Sequence, residues 1–217
     1  MRRASFVGVA VGGFLLAASS ATGATARVPT VESFRASLRP VPHSPAADRG
    51  SNASGTAHVI RKDSQVNTVV VARGLSPDLP HAMHIHGFEE AVAECPSLAR
   101  DEDGNGLIDT LEGLPDYGGI LVSLTTSGGT GGLFEDGLAL DRFPVANRAG
   151  FVTYQRTIDI PADVAETLDN HHIVVHGHDL NGNGVYDGPS SSLSDVVGAD
   201  VPLEAELPVA CGTLVRR

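Results

Sequence analysis

Two short β-branched runs, Thr56–Arg61 and Gln65–Arg73, flank the polar break Lys62-Asp63-Ser64. Side chains that alternate with period two belong to a strand with one buried face, and two such runs about a short break predict a hairpin. The pattern returns from Phe151 to Ile160, where Val152, Tyr154, Arg156, Ile158 and Ile160 share one face. It also appears from Ser33 to Pro40, with Phe34, Ala36 and Leu38 aligned. Ile120–Thr126, His172–His176 and Leu203–Leu207 add further short strands, and the Pro-, Ser- and Gly-rich stretch from Val41 to Gly55 reads as a mobile loop. Pro161 to Leu168 has an early proline and acids in its first turn, which predicts one short helix. Seven or eight strands with one or two short helices make an all-β sandwich or barrel.

The N-terminus sets the compartment. Met-Arg-Arg precedes an apolar stretch from Phe6 to Ala18 and small residues ending Ala24-Thr25-Ala26. That order is a secretory signal peptide over 1–26, leaving a single domain over 27–217 that is secreted or periplasmic. The apolar stretch is too short to span a bilayer, and no later segment is long and apolar enough. Two of the 15 basic residues and none of the 26 acidic ones fall in 1–26, so the mature charge is −13. Such a surface excludes nucleic acid and anionic lipid as partners and suits cations. No protein partner is indicated. The two cysteines, Cys95 and Cys211, pair as one disulfide in an oxidising compartment.

Seven of the nine histidines fall into two clusters, His81, His84 and His86, then His171, His172, His176 and His178. In a strand, His84 and His86 point to one face and Ile85 to the other. Ile173-Val174-Val175-His176-Gly177-His178 is a second apolar strand ending in a histidine beside a glycine. Neighbouring strands need not be sequential, so the clusters can meet. Imidazoles on one face suit copper or zinc, with His84, His86 and His176 as ligands and His178 or His172 as a fourth.

A strand carrying His-x-His, a cysteine several residues on, the distant Val174-Val175-His176-Gly177-His178-Asp179 and the late Ala210-Cys211-Gly212 together resemble the copper/zinc superoxide dismutase family over roughly Gly74 to Leu214. The resemblance implies a Greek-key β-sandwich, His84, His86 and His176 as copper ligands, and Cys95–Cys211 as the family disulfide. The N-terminal half, with FRASLRPVPHS, SGTAHV and VVVARGLSPDLPHAMHIHG, is closer still to the CHRD family, itself similar in plan to the dismutase sandwich. The departures are chemical. No histidine lies between Gly87 and Asn170, where the dismutases keep their bridging and zinc histidines, and Pro208 stands where they carry an anion-steering arginine.

In place of that zinc loop stands Asp101-x-Asp103-x-Asn105-Gly106-Leu107-Ile108-Asp109-x-x-Glu112. This is the twelve-residue EF-hand spacing for calcium: side-chain oxygens from Asp101, Asp103 and Asn105, a sharp turn at Gly106, the carbonyl of Leu107, Asp109 directly or through water, and a bidentate Glu112. Ile108 is its inward apolar anchor, and Gly113 with Pro115 is expected to shorten any exit helix. A second, weaker calcium loop uses Asp179, Asn181, Asn183, Val185 and Asp187, without a glutamate at the twelfth position.

The expectation is an exported, calcium-stabilised, metal-binding sandwich with a binding or structural role and no catalytic residues. The alternative is an oxidoreductase, a degenerate copper-only dismutase. No nucleophile-elbow pattern supports hydrolysis.

Overall fold

The computed structural model describes residues 30–47, 52–87 and 94–217. The signal peptide expected over 1–26 lies outside them. Nine antiparallel strands dominate: β1 (Val31–Pro40), β2 (Ser54–Lys62), β3 (Gln65–Arg73), β4 (Met83–Gly87), β5 (Gly119–Ser123), β6 (Val152–Asp159), β7 (His172–His176), β8 (Pro208–Thr213) and the short β9 (Val215–Arg216). Their spatial order is β5-β4-β7-β8-β1-β2-β3-β6, with β9 beside β1. The sheet curls, so that its two halves enclose one sandwich-like core.

The hairpin β2–β3 turns at Asp63-Ser64, and Asp63 takes the left-handed conformation at φ 56°, which a short polar side chain tolerates. Alternation then decides what is inside. Phe34, Ala36 and Leu38 of β1 meet Val59, Val70, Val152 and Tyr154 in the core, and Met83, Ile85, Ile173 and Val175 close it from the other half. Each large apolar side chain buried there contributes about 1.5–3 kcal/mol. Arg156 of β6 reaches the loop after β5, donating to the carbonyls of Thr125 at 2.9 Å and Gly128 at 2.6 Å. The two outermost strands are thereby tied together.

β4 and β7 are buried on both faces, as is most of β8. Their outer face lies under a second layer, where Val41, Ile108, Tyr117, Val174 and Cys211 form a smaller apolar cluster. Cys95 and Cys211 are disulfide-bonded across a sequence separation of 116 residues, which fastens the covering segment to β8.

Several local expectations are revised. Among the described residues the α-helices number four, α1 (Thr110–Tyr117), α2 (Ala162–Glu166), α3 (Ser192–Val197) and α4 (Leu203–Glu206). Leu203–Leu207 is therefore a helical turn and not a strand. Pro202 opens it, and the buried Glu204 and Glu206 take backbone N–H donors from other segments. α1 runs two turns through Pro115 because Asp109 and Glu112 form a capping box at its start. Gly113 leaves the space that the Tyr117 ring fills. The strand expected over Ile120–Thr126 ends at Ser123, where the chain turns and Thr125 Oγ1 donates to the Gly129 carbonyl. Within the expected loop, Val41 and Ala53 are buried; residues 48–51 lie outside the described part.

Candidate metal centre

β4 and β7 pair with His84 opposite Val174 and His86 opposite His172. This places His84, His86 and His176 on the outer face. The register slips between Ile85 and His86 against β5, and between Val175 and His176 against β8. Such irregularities re-aim side chains, and each lies next to one of the three histidines. The ring centroids form a nearly regular triangle, with sides of 5.5, 5.1 and 5.4 Å.

Backbone carbonyls fix which nitrogen of each ring carries hydrogen. Nδ1 of His86 lies 2.8 Å from the Gly118 carbonyl, Nδ1 of His176 2.7 Å from that of Glu206, and Nε2 of His84 3.1 Å from that of Gly137. A carbonyl only accepts, so each of these nitrogens donates, and the other nitrogen of each neutral ring presents a lone pair. Those are His86 Nε2, His176 Nε2 and His84 Nδ1; the last is buried without a hydrogen-bond partner. His86 Nε2 and His176 Nε2 stand 3.3 Å apart. Two lone pairs repel at that distance unless a cation lies between them. With metal–nitrogen bonds of about 2.0–2.1 Å, the spacing corresponds to an angle of roughly 105–110° at the metal.

Burial pushes His84 and His86 well below the usual imidazole range, reinforced by the neighbouring histidines, and pushes His176 down to about 4. All three rings are therefore neutral at pH 7, the state a metal requires. Gly118 sits at φ 82°, and a Cβ there would meet the Gly87 backbone at 2.3 Å. Glycine is what lets the end of α1 bring its carbonyl to His86.

Among the described residues, the group that could hold a metal is His84, His86 and His176; His172, expected as a possible fourth ligand, lies opposite His86 on β7 but is not part of it. His178 does not join the group: β7 ends at His176 and Gly177, at φ 101°, turns the chain away, so that the His178 N–H bonds to the Glu204 carbonyl. The ring of His81 meets the carbonyls of Ser76 and His176, each at 3.0 Å, and buttresses the His176 backbone. Tyr117 lies edge-on to His86 and Phe143 edge-on to His84.

No family model matches the chain, and no curated protein matches it.

The first acidic loop brings carboxylate oxygens of Asp101, Asp103 and Glu112 within 4.8 Å of one another. Glu112 accepts from the N–H groups of Glu102 at 2.7 Å and Asp109 at 3.1 Å. Asp101 accepts from Gly106, Asp103 from Asn105, and Asn105 from Leu107, while Asp101 Oδ1 is buried without a partner. Asp109 is drawn off to cap α1 and to accept from Ser192 Oγ. Ile108 is fully buried.

The second loop repeats this pattern. Asp179 accepts from Gly184, Asn181 from Asn183, and Asn183 from Val185. The carboxylate missing at its twelfth position is replaced by Glu204 of α4, which accepts from Leu180 at 3.0 Å and Asp187 at 2.9 Å. Asp187 itself is occupied with the side-chain amides of Asn181 and Asn183. Among the described residues, no three carboxylates converge here as they do at the first loop. Sequence reasoning missed Glu204. The one available signal was a glutamate in a short segment after the loop, beside a proline.

Proposed function

We propose that this chain is an exported metal-binding domain that holds a copper ion at His84, His86 and His176 and calcium at the 101–112 loop, with a binding or structural role. The convergence of three imidazole lone pairs on one buried point carries the reading. Imidazole donors suit copper and zinc, and the backbone carbonyls behind each ring are the outer partners that orient such ligands. Copper is preferred on the resemblance to the dismutase sandwich. The disulfide agrees with an oxidising compartment, and no helix among the described residues is long and apolar enough to cross a membrane. Calcium at Asp101, Asp103 and Glu112 would clamp the layer that covers the histidines, with Asn105 and the Leu107 carbonyl completing the shell. The second loop, closed by Glu204, is a weaker calcium site of the same kind. Family membership is read from the CHRD resemblance alone.

Metal analysis of protein purified without chelators, followed by copper titration, tests this reading. One copper per chain, lost in His176→Ala, is the expected result; no uptake overturns it. Rapid superoxide disproportionation by the copper-loaded protein would instead favour the oxidoreductase alternative.

A further inference from the structure

Beside the histidine centre lies a cavity of about 230 Å³. His84 and His176 form part of its wall, Ile120, Leu138, Leu193 and Val201 supply much of its apolar surface, and Thr110 and Glu206 line it as well. Glu206 is 3% exposed. Its Oε2 accepts from the Thr110 N–H at 2.7 Å, but Oε1 is buried with no hydrogen-bond partner. A buried carboxyl oxygen left unpaired is costly, and such groups are commonly satisfied by a ligand or by water.

We propose that this cavity binds a small, uncharged, mainly apolar molecule bearing one hydroxyl, of the phenol class, with the hydroxyl hydrogen-bonded to Glu206 Oε1 and the ring against the His84–His176 side of the candidate metal centre. The inference rests on the metal reading above. Size favours this class: an apolar cavity of about 150 Å³ accommodates benzene, so this one has room for a ring and a few further atoms. Charge disfavours anions. The lining holds Asp200 and Glu206 and neither lysine nor arginine, so a carboxylate or a small oxyanion gains no attraction. Polarity favours a single hydroxyl, because an O–H group both donates and accepts and so pairs with Oε1 whether or not that oxygen carries a proton.

The test is calorimetric titration of the full mature chain, metal-free and copper-loaded, with phenol, toluene, benzoate and benzylamine. Phenol is expected to bind at one site at least tenfold more tightly than the other three, and to shift the visible and electron-spin spectra of the loaded protein. Leu138→Trp, at a half-buried position on the lining, should weaken phenol at least tenfold and leave copper stoichiometry intact. Equal affinity for phenol and toluene, or tighter binding of benzoate or benzylamine, overturns the proposal. Copper uptake is measured first: its absence is the failure of the metal reading and takes this proposal with it. Uptake with no phenol-dependent spectral change overturns this proposal alone.

Discussion

Glu204 grips the loop at 179–187 through the N–H groups of its second and ninth residues, Leu180 and Asp187, as Glu112 grips the loop at 101–109 through Glu102 and Asp109. One glutamate follows its loop directly and the other arrives from a separate helical turn. Both cross-link loop to body before any ion is considered. An ion that binds the folded state alone adds about 2.7 kcal/mol at a hundredfold excess over its Kd. For a domain of this size that is about 5–10 °C in Tm. Thermal melts in millimolar calcium against chelator should therefore separate by that amount, with Glu112→Gln removing most of the shift and Glu204→Gln a smaller part. Superimposable melts for the wild-type chain would end the calcium reading.

The facing lone pairs of His86 and His176 give a second prediction. Replacing either with alanine removes one of the two nitrogens that stand 3.3 Å apart. Copper affinity should fall by more than about a hundredfold, since losing even an outer partner of a ligand typically costs 10–100-fold. His178→Ala should leave affinity unchanged, because that ring is outside the cluster. Competition titration against a chromophoric chelator reads both. Equal losses in the two kinds of variant would mean that the ligands are wrongly assigned.

What the sequence revealed, and what it hid, follow from the range of the interactions. β3 and β7 are legible to the residue because alternation and an apolar run are local signals. His84 and His86 are legible as a pair because strand period fixes their common face. His178 misled for the same reason: two residues from His176, it would share the face if the strand continued, but Gly177 ends the strand. Leu203–Leu207 alternates like a strand yet folds as a turn of helix, since its glutamates are claimed by distant N–H groups. The carbonyls of Gly118, Gly137 and Glu206 that orient the histidines have no side-chain signature at all.

Removing the disulfide gives a third prediction. Cys95–Cys211 closes a loop with a sequence separation of 116, for which the chain-entropy model gives about 4–5 kcal/mol. The double variant Cys95→Ser with Cys211→Ser should unfold at correspondingly lower urea. The loss should be compounded by lower copper affinity, because Cys211 belongs to the cluster under the covering layer. A urea midpoint within error of wild type would show that the unfolded chain is already constrained by other means.

The metal-free protein should lose stability in mild acid. Burial lowers His84, His86, His171 and His176, the last to about 4. An unfolded histidine takes up a proton near pH 6.5, whereas these do so only at lower pH. Between about 6.5 and 4 the unfolded state therefore binds more protons, and stability falls as pH falls. Glu206 opposes this. Burial raises it to about 8, so its contribution is full at acid pH and is lost as pH rises from its unfolded value through 8. Several imidazoles outweigh one carboxyl, and each excess proton contributes about 1.4 kcal/mol per pH unit. Urea midpoints measured at pH 7, 6 and 5 should fall with a slope steeper than one proton. The copper-loaded protein should resist to lower pH, because the metal excludes protons from three of the four rings. A flat or rising profile for the metal-free chain would show that these rings are already protonated in the folded state, contrary to the lone-pair geometry on which the proposed metal site rests.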